Sequence, residues 1–367
     1  MGIRVVIAGG GTGGHLYPGI AVARELMARD SGAQVSFAGT ASGIESRVLP
    51  REGLTLDLIR SGGLKGKSAA VIVRGLWLLP QSFADAWRVV SARRPQLVIG
   101  VGGYSSGPVV LVAALRGIAT MVLEQNAVPG LTNRLLAPLV RAAAVTYDST
   151  RSFFGSKAVL SGNPVRPEFF ALAGPSVEAD ADGSHAVVRV LVFGGSQGAH
   201  AVNVAMVEAA AELAAGRPHL RITHQTGERD VEMVRAGYQK AGMQADVEPF
   251  FYDMGEQLGR ADLIVCRAGA TTLAEVEAAG RAAILIPLPT ATDDHQRRNA
   301  EALAASGAAD VLLQKEAMGS ALAKRILALA ADPAARTRMA TAARALARPD
   351  AAKVIVDRAL ELIGRAG

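Results

Sequence analysis

Apolar residues in this chain fall in short unbroken runs rather than in strict alternation with polar ones. The first half carries such runs at 3–8, 34–38, 54–59, 97–101, 120–123 and 143–147. The second half carries them at 188–193, 221–225, 247–250, 263–266 and 283–287. Continuous β-branched and aliphatic runs of this length read as parallel strands buried on both faces. Helical spacing fills the gaps, for example at 19–29, 106–115, 202–215 and 272–279. The alternation predicts an α/β chain of two successive doubly wound, Rossmann-like domains. The two prolines of Gly162-Asn163-Pro164-Val165-Arg166-Pro167 punctuate the boundary, giving domains at 1–162 and 163–345. The stretch 171–185, rich in Ala, Gly, Asp and Ser, reads as a surface loop. An amphipathic helix is expected at 351–363, within a terminal segment (346–367) that packs back on the first domain. Because open α/β sheets bind ligands at the carboxyl ends of their strands, the domains are expected to face each other across a cleft.

Three of the strands run into glycine-rich loops: GGGTGGHLYP from Gly9, GVGGYSSGP from Gly100 and GGSQGAHAVN from Gly194. Glycine brings backbone N–H groups close to an anion, and the helix that follows adds a positive dipole end. Three such loops predict a protein organised around phosphate-bearing ligands. With 367 residues, half of them hydrophobic, the chain can fill two cores. The single cysteine, Cys266, lies in an apolar run, rules out an internal disulfide and reads as a buried strand residue. A net charge of +6 suits nucleic acid, an anionic lipid surface or a phosphorylated substrate. Aromatics make up only 4% of residues, without basic-aromatic interleaving, so nucleic acid is not expected. The start of the chain reads directly as a strand without a signal peptide, and no apolar run is long enough for a membrane span.

The motifs GGTGGH, GGYxSGP, EQN followed by LTN, GNPVR, GGSQGA, RAGAxTxxE and DDHQxxNA occur in that order over almost the whole chain. In this set the sequence resembles the MurG family of bacterial glycosyltransferases. The resemblance implies a GT-B fold and inverting transfer of N-acetylglucosamine from UDP-GlcNAc to the 4-hydroxyl of MurNAc in lipid I, the undecaprenyl-linked acceptor. The product would be lipid II, for peptidoglycan. It also implies no cofactor and no metal, and a peripheral location on the cytoplasmic face of the cell membrane. Other cell-wall synthesis and division proteins are its candidate partners.

Carried over by motif, Glu275 accepts hydrogen bonds from the donor ribose, although a first-turn glutamate also reads as a partner of the helix dipole. Ala270, Thr271, Thr272, Leu273 and Ala274 line the same donor segment. Ser196 and Arg166 are implied to bind the diphosphate; Ser196 reads equally as a helix N-cap, and Arg166 as an interdomain ion pair. Phe251 is implied to read uracil through its backbone, while the Phe250-Phe251 pair by itself reads as core. Gln296 is implied to hold the GlcNAc hydroxyls, with His295 beside it and Asn299 bracing the next helix. Thr12, Gly13 and Gly14 meet the transferred sugar of the donor and the acceptor diphosphate, and Asn126 a donor or acceptor sugar. Gly103, Tyr104, Ser105 and Asn133 are implied on the acceptor side. Inversion needs a base for the attacking hydroxyl, and His15 and Glu124 are the two candidates. Asp293-Asp294 lacks a ligand set for a metal, and Asp180-Ala181-Asp182 reads as a solvated charge run.

Between Arg60 and Arg94 both tryptophans, Trp77 and Trp87, stand among Leu78, Leu79 and Phe83 with Lys65, Lys67, Arg74 and Arg88. Only Asp85 is acidic there. The pattern reads as an anionic-membrane face or as a helix burying its apolar side in the core. Two other functions fit parts of the sequence. One is a different UDP-sugar transferase acting on a lipid acceptor. The other is a non-catalytic dinucleotide-binding module, which the absence of an acidic residue after the second strand (Gly39-Thr40) disfavours.

Overall fold

The computed structural model describes residues 2–62, 69–172, 178–179, 186–195, 198–216, 218–317 and 319–364, with backbone only at 69–77, 178–179 and 186. It divides into two units, Met1–Val165 with Arg348–Gly367, and Arg166–Ala347.

The first unit is built on β1 (Arg4–Gly9), β2 (Gln34–Gly39), β3 (Thr55–Leu58), β4 (Leu97–Gly102), β5 (Ala119–Glu124), β6 (Ala142–Val145) and β7 (Ala158–Leu160). All pair in parallel, in the order β3-β2-β1-β4-β5-β6-β7. Alternation along β1 sends Val5 and Ile7 to one face and Val6 and Ala8 to the other. The helices Gly13–Arg29 and Ala351–Leu362 cover the first face, through Leu16, Leu26, Ile355 and Val356. The second face is covered by Val89 and Val90 of the helix Ala69–Arg93 and Val109 and Val110 of the helix Ser106–Leu115. Burial on both sides is why the strands read as unbroken apolar runs.

The second unit repeats the plan with β8 (Glu178–Ala179), β9 (Ala186–Phe193), β10 (Leu220–Gln225), β11 (Ala245–Glu248), β12 (Leu263–Cys266), β13 (Ala282–Leu285) and β14 (Asp310–Val311). The order is β11-β10-β9-β12-β13-β14, with β8 antiparallel on β9.

Several elements depart from the sequence expectation. The first helix begins at Gly13 and runs through Pro18, whereas its pattern predicted a start at residue 19. Pro18 is the sixth residue of that helix, beyond the first turn, so the helix forgoes one intrahelical donor there. Part of the expected loop 171–185 is the strand β8. β11 ends at Glu248, so Phe250 and Phe251 lie in the loop beyond it, and Phe250 is exposed rather than core. β7 and β14 were not expected; at three and two residues they carry too little pattern to read.

Candidate functional site

In each sheet the strand order reverses once, between β1 and β4 in the first unit and between β9 and β12 in the second. Open α/β sheets bind ligands outside the carboxyl ends at such a switch point. The first and second glycine loops leave β1 and β4, and the third loop and the Arg267–Glu275 segment leave β9 and β12. Two clusters of candidate residues therefore stand at two switch points.

In the first unit, Thr12 precedes the helix Gly13–Arg29 in an extended conformation, and its carbonyl accepts from His15 and Leu16. His15 is half-buried in the first turn, with Nδ1 3.4 Å from the Thr12 hydroxyl. Its ring lies against the backbone of the second loop. A Cβ at Gly102 would stand 2.7 Å from the ring Cδ2 and 2.8 Å from Nε2, and Gly102 has a φ of +99°. Glycine is needed there both for the turn and to leave room for the imidazole. In the same loop Tyr104 is exposed, whereas Ser105 is buried.

Glu124 ends β5 and is buried. One carboxylate oxygen accepts from the Asn126 backbone N–H at 3.0 Å and side-chain amide at 3.2 Å. The other accepts from the Gly130 N–H at 2.9 Å and the Asn133 amide at 2.8 Å. Burial raises the carboxyl pKa, against the pull of those donors. Asn133 is itself buried and also donates to the Leu123 carbonyl at 2.9 Å. It braces the Glu124 carboxylate.

In the second unit, Ser196 lies outside the described residues, as does Asp180-Ala181-Asp182. Gln225, buried at the end of β10, donates to the Gly195 carbonyl at 2.8 Å and accepts from Phe251 N–H at 3.4 Å. The third glycine loop and the Phe251 backbone are thus held by one side chain. Behind the loop, Asn203 donates to the Thr226 carbonyl and the Asp230 carboxylate, at 2.9 and 2.7 Å. Its carbonyl meets Nε2 of His224, whose Nδ1 meets the Tyr238 hydroxyl. Burial holds His224 neutral, with its pKa pushed down to about 3.

The helix Ala270–Ala279 starts after Gly269 in an extended conformation, and its first-turn N–H groups belong to Ala270, Thr271 and Thr272. Leu273 and Ala274 are buried, and the Leu273 N–H donates to the Gly269 carbonyl at 3.0 Å. Glu275 is half-buried. Burial pushes its carboxyl up to about 7, Arg166 pulls it down, and Glu168 adds to the rise. Arg166 stacks on Phe169 at 4.8 Å and pairs with Glu168 at 3.2 Å. Arg267 is buried beneath the loop and donates to the Ile286 and Pro287 carbonyls and to Gln314. Gln296 accepts from Leu288 N–H at 3.0 Å, which turns its amide nitrogen away from that strand end. His295 Nδ1 bonds the Thr292 carbonyl at 2.6 Å, and Asn299 is buried against the Ala268 carbonyl. Among the described residues no cluster of three or more His, Cys, Asp or Glu could hold a metal ion.

Sequence reasoning gave no role to the bracing residues Gln225, Asn203 and Arg267; Asn203 and Arg267 lie within quoted motifs, but burial and partners, not motif position, identify what they do.

Residues 5–145 match the glycosyltransferase family 28 N-terminal domain and residues 189–355 its C-terminal domain. A protein of Geotalea uraniireducens is 47% identical over 97% of this chain and 97% of its own length. One of Myxococcus xanthus is 46% identical over 98% of this chain and 93% of its own. Both are called UDP-N-acetylglucosamine--N-acetylmuramyl-(pentapeptide) pyrophosphoryl-undecaprenol N-acetylglucosamine transferase. The crystal structure of Acinetobacter baumannii MurG superposes with a TM-score of 0.78 at 34% identity, covering 98% of this chain and 99% of that one. The chain belongs to the MurG family of glycosyltransferases. Its two Rossmann-like parallel sheets are those of the GT-B fold. Membership accounts for the motif residues gathering at both switch points.

Proposed function

We propose that this chain is the inverting transferase that moves GlcNAc from UDP-GlcNAc to the 4-hydroxyl of MurNAc in lipid I. The observation that carries the reading is the near-full-length similarity to relatives named for that transfer. The motif residues supply the chemistry. In the second unit the Glu275 carboxylate accepts from the ribose hydroxyls. The first-turn N–H groups of Ala270, Thr271 and Thr272, with Arg166 and Ser196, receive the diphosphate. The Phe251 backbone reads uracil, and Gln296 the GlcNAc hydroxyls. In the first unit Thr12, Gly13 and Gly14 meet the transferred sugar and acceptor diphosphate, with Gly103 and Tyr104 on the acceptor side and Asn126 at a sugar.

The acceptor oxygen forms its bond to C1 of GlcNAc as the bond from C1 to the UDP oxygen breaks, and the configuration inverts. The hydroxyl proton goes to the His15 imidazole; Nε2 receives it in the tautomer in which Nδ1–H donates to the Thr12 hydroxyl, 3.4 Å away. Both oxygens of Glu124 already accept two donors each, which suits a carboxylate that holds Asn126 in place better than a base. Charge developing on UDP is met by N–H groups, a helix dipole and an arginine, so a divalent ion is not required.

The enzyme works peripherally at the cytoplasmic face of the cell membrane. Trp87 is 56% exposed beside Arg88, and the Arg116 guanidinium lies 4.9 Å from its ring. Asp85, the one acid of the patch, is buried against Arg60 at 2.7 Å. Phe83 packs against the core, and the side chains of Arg74 and Trp77 lie outside the described residues. Leu78 and Leu79 are half-buried. No helix of the described residues is long and apolar enough to cross a membrane.

Incubation with radiolabelled UDP-GlcNAc and a short-chain lipid I analogue in EDTA tests the reading. Label should pass to the analogue with release of UDP. Donor binding without transfer would point to another acceptor, and absence of both would overturn the assignment. His15→Ala should lower kcat by about 10²–10⁴-fold with UDP-GlcNAc binding intact. Weakened donor binding at unchanged kcat would remove His15 as the base.

A further inference from the structure

The first glycine loop was expected to offer its N–H groups to an anion, yet one of them is taken by a protein carboxylate. Glu45, fully buried at the start of the short helix Glu45–Arg51, accepts the Gly11 N–H at 2.7 Å on Oε2. Its Oε1 accepts the Thr40 N–H at 2.8 Å and the Thr40 hydroxyl at 2.9 Å. Thr40 follows β2 and Gly11 follows β1, so one carboxylate ties together the loops leaving two neighbouring strands. The fit is close, since a Cβ at Gly10 would stand 2.6 Å from the carboxylate carbon. Gly11 itself is exposed. Its N–H is held from the protein side, and the residue after it, Thr12, carries the carbonyl that starts the helix bearing His15.

We infer that Glu45 is a positioning residue for the transfer reaction. By holding the Gly11 N–H against Thr40, it sets the start of the helix Gly13–Arg29 and hence the place of the His15 imidazole. The inference rests on the reading of His15 as the base. Among the described residues three donors meet the two oxygens, at least one on each, so the site requires a group that accepts at both ends. A glutamine can accept at only one. With its oxygen on the two Thr40 donors, it would turn an NH2 group toward the Gly11 N–H. Glu45→Gln therefore keeps the volume and releases the loop.

The test compares Glu45→Gln, His15→Ala and the double variant in the full chain, reading kcat, the KM for UDP-GlcNAc and UDP binding. Glu45→Gln should lower kcat by about 10–100-fold, the scale of a small misplacement of a catalytic group, and leave the affinity for UDP, which the second unit carries, unchanged. The double variant should be no slower than His15→Ala alone. Glu45→Asp, too short to span both partners, should not restore kcat. Full turnover by Glu45→Gln while His15→Ala is impaired would overturn the inference. Full turnover by His15→Ala would instead remove the base reading, leaving any loss in Glu45→Gln as loop placement alone. If Glu45→Gln does not fold, hydrogen exchange of the wild-type chain decides. The Gly11 amide should be protected although its residue is exposed, and exchange at the rate of an open loop would sink the proposal.

Discussion

The Glu275 carboxyl, pushed up to about 7 by burial, changes charge close to neutral pH. Only the ionised form accepts from both ribose hydroxyls, so donor binding should strengthen as pH rises through 7. Below that value UDP affinity should fall by up to about tenfold per pH unit. Isothermal titration with UDP between pH 5.5 and 8.5 checks this; Glu275→Gln should bind weakly and without the slope. A flat wild-type profile would mean that the carboxyl is ionised throughout. The sign for folding is the opposite. Between the ordinary carboxyl value of 4.5 and about 7 the folded state holds a proton that the unfolded chain has lost. The contribution of this group to stability therefore declines as pH rises through that window. At this scale the motif residues were legible because their types and spacing are specific. The burial of Asn133, Ser105, Leu273 and Ala274 was not, because position in a motif does not tell how deeply a side chain is buried.

At the scale of elements, the helix Ala69–Arg93 illustrates the same limit. Its Leu, Trp and Phe residues suited both membrane and core, and the structure divides them: Phe83 packs inward and Trp87 stands out. Trp87→Ala should reduce co-sedimentation with vesicles containing anionic lipid while leaving turnover on a detergent-solubilised acceptor unchanged. Wild-type binding should weaken as salt rises toward 0.5 M, because the basic rim is screened. Unaltered vesicle binding by Trp87→Ala would take this face out of the membrane contact. Most strands were legible because burial on both faces leaves an unbroken apolar run. The first helix was misread at its start because Pro18 resembles a start signal, while its real beginning, Gly13-Gly14, lacks helical pattern.

Across the whole chain, the last helix, Ala351–Leu362, belongs to the same unit as the first residues. Ile355 and Val356 are fully buried in the core that also contains Leu16 and Leu26, and Asp357 pairs with Arg29. Ile355→Ala should destabilise the first unit by about 3 kcal/mol, read as a lower denaturation midpoint, with UDP affinity retained. A loss of UDP binding at temperatures where the chain stays folded would contradict it.

By itself the sequence determined that the chain is α/β with two Rossmann-like halves, where the glycine loops fall, and to which family it belongs. Those properties are written in local order: apolar runs, turn residues and motif spacing. Tertiary structure alone decided that Gly102 makes room for His15 and that Glu124 already has four donors. It also decided that the Gly11 N–H is committed to Glu45. The first and last of these join residues from different strand ends, brought together only when the parallel sheet forms; the Glu124 donors all come from residues 126–133, gathered by the turn that follows β5. A lone glutamate in a chain carries no mark of the amides that will surround it; burial and hydrogen-bond partners are properties of the packed sheet.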